Sequence, residues 1–166
     1  MQYGLPNICL IWSGKPAMLR KTTGVLSSGL TLNQGTIYRH HLNSIFSKII
    51  LPTANYDAIF TANTAHIMPW EGVERLFNCL AVQLPTNGIF CLYGPMGYNG
   101  LIAPESNIQF DQLLRQQASH RGIRQFEAIN ALAISAGLKL LEDYALPANN
   151  RLIAWQKAWQ KAWQKD

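Results

Sequence analysis

Two apolar runs flanking an amphipathic stretch dominate the pattern of hydrophobic and polar positions. Tyr56-Asp57-Ala58-Ile59-Phe60-Thr61-Ala62 and Gly88-Ile89-Phe90-Cys91-Leu92-Tyr93 are nearly continuous in apolar character and do not alternate. Runs of this kind suit strands buried on both faces, as in a parallel sheet covered by helices. Between them Val73, Leu76, Phe77, Leu80 and Leu84 recur at helical spacing, and Pro69, Glu71 and Glu74 are placed for a first turn. Pro85-Thr86-Asn87-Gly88 stops that helix, Gly88 or Asn87 taking the left-handed backbone of a helix end. Strand, helix, strand predicts an α/β fold, in which ligands sit outside the carboxyl ends of the strands. Those ends are Asn63-Thr64-Ala65-His66 and Gly94-Pro95-Met96-Gly97-Tyr98.

After Gly100 the pattern predicts two further helices and a strand pair. Ser106 and Gln109 match a capping box, and Phe110, Leu113, Leu114 and Gln117 give a mostly apolar face to a helix over 107–117. Ser119-His120-Arg121-Gly122 breaks it. A second helix over 125–136 buries Phe126, Ile129, Leu132 and Ala133 and ends at Gly137. Leu138 to Tyr144 and Arg151 to Gln156 read as two strands joined by the turn Pro147-Ala148-Asn149-Asn150. Toward the N-terminus, Leu5 to Trp12 reads as a strand, and 13–50 shows no sustained helical period.

Composition adds limits to this picture. A chain of 166 residues, 48% hydrophobic, is long enough for one domain with a core. Its net charge of +5 is carried by the two ends: 1–56 hold five basic residues and no acid, 57–150 hold eight acids against five bases, and 151–166 carry +3. A nucleic-acid footprint should be a patch on a folded face, so a basic nucleic-acid or membrane module is the weakest reading, and neither partner is expected. Cys9, Cys79 and Cys91 are odd in number and lack metal-ligand spacing, so no metal site is expected. They read as reduced thiols of a cytoplasmic protein. No apolar stretch approaches the ~20 residues of a bilayer span, and the N-terminus lacks a signal-peptide pattern. Gly14-Lys15 lacks the rest of a phosphate loop, and His40-His41, being adjacent, diverge in regular structure. Ala-Trp-Gln-Lys occurs three times from Ala154 to Lys165. Trp155 is best used by the last strand, and the remaining repeats read as a short duplicated tail.

The phrases YDAIFTANTAHIMPWEGVERLF, LYGPMGYNG, ESNIQFDQLLR, GIRQFEAINALAISAGL and LPANNRLIAW resemble the S-adenosylmethionine-dependent methyltransferase-like proteins of the methyltransferase-like protein 26 type, whose substrate is unknown. The resemblance covers about 55–156, and its long phrases occur in the family's order. It implies a Rossmann-like class I methyltransferase fold, with a mostly parallel sheet and an antiparallel C-terminal strand pair. It divides the chain into a divergent segment over 1–54, in part without fixed structure, a methyltransferase-like part over 55–156 and a repetitive tail over 157–166. Members begin with a strand carrying an E-x-G-x-G-x-G loop, and their second strand runs into an acid that holds the cofactor ribose. Neither stands in this chain, so the fold is expected to be incomplete, lacking the first strand and Gly-rich loop. Residues 1–54 are then either a loop-rich segment with its own role or a sequence in a shifted reading frame. The absence of acids and the abrupt start of resemblance favour the second.

The resemblance also implies roles. Asn63 and Thr64 would lie beside the methionine end of S-adenosylmethionine, and Tyr93, Gly94, Pro95 and Tyr98 would face a small-molecule substrate. His66 or Glu105 would take a proton from the acceptor, although His66 serves equally well as a hydrogen-bonding residue at a helix entry. Arg124 would hold an anionic group, a surface ion pair being the commoner fate, and Asn149 and Asn150 would orient substrate from a turn they already suit. Without the glycine cradle and the ribose acid, S-adenosylmethionine is expected to bind weakly or not at all, and this chain to be inactive. The missing first strand would bare the edge of the Tyr56–Ala62 strand. Either Ile8 to Trp12 fills that gap or the chain self-associates through it.

Overall fold

A computed structural model describes residues 8–12 and 57–158. Among them the strands are β1 (Ile8–Trp12), β2 (Ala58–Ala62), β3 (Ile89–Gly94), β4 (Met96–Gly97), β5 (Arg124–Gln125), β6 (Leu138–Leu146) and β7 (Asn150–Lys157). The helices are α1 (Trp70–Gln83), α2 (Glu105–Gln117) and α3 (Phe126–Ser135). The main sheet runs β1-β2-β3-β7-β6, and β4 and β5 form a small parallel pair beside it. β1, β2 and β3 are parallel, and β7 lies antiparallel to both β3 and β6. The predicted strand pair therefore closes one edge. β1 occupies the place beside β2, with Cys9 opposite Ile59, which is the first of the two outcomes expected for that edge.

The amphipathic reading of α1 holds residue by residue. Val73, Leu76, Phe77, Leu80 and Leu84 are all buried against Ile59, Phe90 and Leu92 of the sheet. Phe77, Phe90 and Trp155 form the aromatic centre of the core, with ring centroids 5.5 to 6.1 Å apart. Each such pair contributes about 0.5–1.5 kcal/mol beyond simple burial. Trp155 is 0% exposed and donates Nε1–H to Asn130 Oδ1 at 3.0 Å, so the last strand does use it. Glu71 lies in the first turn of α1, but Glu74 does not. Asn87 (φ 66°), rather than Gly88, supplies the left-handed residue after α1, since an Asn side chain tolerates that backbone better than most.

α2 corrects two expectations. Its N-cap is Pro104 and no side chain caps it, so the Ser106–Gln109 capping box does not form; Gln109 Nε2 instead donates to Glu105 Oε1 at 3.3 Å. Nor does the apolar face turn inward. Asn107, Asp111 and Leu114 are buried, while Phe110 is 38% and Leu113 55% exposed. The reason is hydrogen bonding. Asp111 accepts the Ile123 N–H and the Arg115 Nε–H, both at 2.7 Å, and this holds the polar face of α2 against the segment leading to β5. β7 extends one residue beyond Gln156 to Lys157, whose buried Nζ donates to the carbonyls of Ala81 and Ala136 at 2.7 Å each. Readings that fall on 1–7, 13–56 and 159–166 lie outside the described residues.

Candidate functional site

A cleft of about 640 Å³ opens at the carboxyl ends of β2 and β3, where the first residues of β7 also arrive. Its walls are Asn63, His66 and Ile67 after β2, Pro95 after β3, the start of α2, and the turn between β6 and β7. Five residues singled out from sequence meet here: Asn63, His66, Pro95, Asn149 and Asn150.

Backbone geometry sets the floor. Asn63 takes a left-handed conformation (φ 56°) and donates its N–H to the Tyr93 carbonyl at 2.9 Å, which ends β2 while keeping it beside β3. Gly94 has φ +154°, a conformation essentially reserved for glycine. A methyl group on its Cα would lie 3.6 Å from both Asn63 Oδ1 and His66 Nδ1, so the two side chains converge over this glycine.

His66 is 6% exposed and meets the Phe110 ring edge-on at 5.3 Å. Burial, reinforced by the charges of Arg124 and Arg121, lowers its pKa to about 4, so the imidazole is neutral at physiological pH. Its carbonyl accepts the Gly122 N–H at 2.8 Å. None of the described lining residues is Asp, Glu, Lys or Arg.

Thr64, Glu105, Arg124, Tyr98 and Tyr93, also expected at the site, are not among the residues that line this cleft. Thr64 is buried, its hydroxyl 2.6 Å from that of Thr61 and outside the cleft. Glu105 is exposed and engaged with Gln109. Arg124 makes no ion pair with an acid among the described residues. Its guanidinium donates to the carbonyls of Ala65, Met68 and His120 and lies 5.9 Å from the Trp70 ring centroid, so it ties down the loop that carries His66. Tyr98 donates its hydroxyl to Asp143 Oδ2 at 2.6 Å under the Arg151 guanidinium and stacks on Phe126. Burial, with that hydrogen bond, pushes its phenol pKa up. Tyr93 is half-buried in β3 and does not line the cleft.

Sequence reasoning missed Ser106, Asn107 and Phe110. Ser106 and Asn107 look like helix-start chemistry and Phe110 like core; the start of α2 brings the first two to the cleft, and the outward turn of its apolar face brings Phe110. Among the described residues no group of three or more His, Cys, Asp or Glu could hold a metal ion, and no helix is long and apolar enough to cross a membrane.

A family model described as a protein of unknown function, DUF938, matches residues 35–157. The match takes in 35–54, which the phrase resemblance left out. Among solved structures the chain is similar to an O-methyltransferase family 2 protein from Planctomyces limnophilus in complex with apigenin (TM-score 0.61, 17% identity, 74% of this chain and 34% of that one). It is similar to human N-acetylserotonin methyltransferase in complex with SAM (TM-score 0.59, 17% identity, 74% and 34%). An O-methyltransferase family protein from Burkholderia thailandensis also matches (TM-score 0.59, 11% identity, 75% and 36%). The chain thus spans about a third of the length of these proteins. At such identity the likeness shows the fold, an incomplete Rossmann-like methyltransferase fold.

Proposed function

The chain belongs to the DUF938 family of proteins of unknown function, and we propose that it is a methyltransferase-like protein of the methyltransferase-like protein 26 type that receives a small organic molecule in its cleft but does not turn over in this form. The observation that carries the reading is the convergence of Asn63, His66 and Pro95 at the carboxyl ends of two parallel strands, where open α/β sheets take their ligands. The solved relatives support the class, since one is a complex with a methyl donor and another a complex with an aromatic ligand.

The residues present do not fit S-adenosylmethionine well. Asn63 and Pro95 line the cleft where the methionine end would lie, but among the described lining residues there is no carboxylate to face a sulfonium or an ammonium group. The sequence contains no E-x-G-x-G-x-G stretch to approach the rest of the cofactor. No step of methyl transfer is therefore assigned. What these residues do is orient a ligand between Phe110 and the β2–α1 loop and present to it a neutral imidazole.

Calorimetric titration of the folded chain with S-adenosylmethionine and with S-adenosylhomocysteine tests this. Binding no tighter than about 1 mM, roughly −4 kcal/mol, is expected. Saturation at micromolar concentration would overturn the catalytically silent reading.

A further inference from the structure

We propose that Asn107 is the specificity-determining residue of the cleft, its side-chain carbonyl accepting a hydrogen bond from an uncharged ligand that carries a hydroxyl or amino donor on an apolar ring. The inference rests on the small-molecule reading above, and adds to it the class of ligand and the atom that reads it.

Asn107 lies in the first turn of α2 and is 6% exposed. Its Nδ2 stands between two main-chain oxygens, donating to Ala103 O and to Asn149 O at 3.2 Å each. Only an NH2 group can serve two acceptors, so the amide has one orientation and Oδ1 points the other way. Oδ1 has no hydrogen bond to any described residue. Nor is it among the buried side-chain atoms without a partner, which among the described residues are Gln83 Oε1 and Arg121 Nε. Of the amide's two ends, Oδ1 is thus the one that Asn107, a lining residue, has left for a ligand.

A second tie makes this acceptor rigid. Asn149 Nδ2 donates to Ser106 Oγ at 3.2 Å, so the β6–β7 turn and the start of α2 are held together from both sides. An acceptor fixed before the ligand arrives loses little freedom on binding. A ligand with a donor at that point pairs with it. One without a donor displaces the water and leaves the oxygen unpaired, a difference of roughly tenfold or more in affinity.

The remaining walls describe the body of the ligand. Ile67, Pro95 and Phe110 are apolar, and the edge-on contact between His66 and Phe110 fixes the ring that a planar ligand would meet. A charged ligand would find no counter-charge among the described lining residues.

Three naphthalenes of similar size separate the possibilities when titrated into the full chain and followed by saturation-transfer NMR: 2-naphthol (neutral donor), 2-methoxynaphthalene (no donor) and 2-naphthoate (charged). 2-Naphthol is expected to bind roughly tenfold tighter than its methyl ether, with 2-naphthoate weakest. Asn107→Leu should bring the naphthol-to-ether ratio close to one. Should that variant not fold, the wild-type ratio decides, together with the Asn107 side-chain amide resonances, which should move with 2-naphthol and not with the ether. Equal binding of naphthol and ether, tightest binding of the naphthoate, or no binding of any of the three overturns the proposal. Micromolar S-adenosylmethionine would instead sink the silent-enzyme reading and leave the naphthol ratio untouched.

Discussion

Arg124 Nε donates to the main-chain carbonyl of Ala65 at 3.0 Å, joining two residues that are 59 positions apart in the chain. The same guanidinium reaches Met68 and His120, so a single cation fixes both shoulders of the loop that carries His66. Hydrogen bonds from a charged donor contribute about 1.5–3 kcal/mol each, not additively. Arg124→Ala is expected to cost about 2–4 kcal/mol in urea unfolding. Arg124→Lys should recover only part, because a point charge cannot replace the planar fork.

His66 gives the protein an acid-sensitive stability. Its folded pKa, about 4, is below its ordinary 6.5, so between these values the unfolded chain binds the extra proton. The contribution is complete above pH 6.5 and is lost as pH falls toward 4. The full loss is on the order of 3 kcal/mol. His66→Gln should flatten the stability profile in this window, as followed by denaturant midpoints from pH 7 to pH 4.

At Gly94 the obstacle to a side chain is conformation rather than space. The nearest atoms to an added methyl are 3.6 Å away, an ordinary contact, but φ is +154°. Gly94→Ala should therefore lower stability by about 1–3 kcal/mol. Backbone chemical shifts should move at Asn63 and Pro95 and stay unchanged in α3.

How much of this is legible in the sequence depends on whether the cause is local. The burial of Val73, Leu76, Phe77 and Leu80 follows from spacing alone, as does the Ala148-Asn149 turn, whose residues take φ of 58° and 57°. The meeting of Asn63, His66 and Pro95 follows from strand order. Arg124 and Thr64 escape a sequence reading because their partners are groups that no residue pattern encodes: main-chain carbonyls far away in sequence, and one inward hydroxyl. α2 escapes it for the same reason. A hydrophobic period identifies a face, but Asp111 and Asn107, through bonds to Ile123 and Asn149, decide which face turns inward.

Lys157 offers a test at the opposite end of the sheet. Its ammonium binds the carbonyls of Ala81 near the end of α1 and Ala136 just after α3, which would otherwise be left without these donors. Lys157→Met keeps the stem and removes the charge, and should destabilise by about 2–3 kcal/mol in thermal or urea unfolding. Amide exchange should quicken first at the C-terminal turns of α1 and α3.

The pairing of β7 with β3 sets Trp155 opposite Phe90 and Ile153 opposite Leu92. The Ala-Trp-Gln-Lys unit that supplies Trp155 recurs every four residues, and a four-residue slip returns every side chain to the same side of the sheet. Trp159 would then stand opposite Phe90 and Lys161 would take the place of Lys157, so neither the tryptophan nor the lysine distinguishes one alignment from the other. The distinction lies upstream: the slip would put Lys157 where fully buried Ile153 belongs, and Trp155 where Arg151 grips Asp143. The strand's address is thus written in Arg151 and Ile153, and the repeated aromatic is a mark that reads the same at every stop.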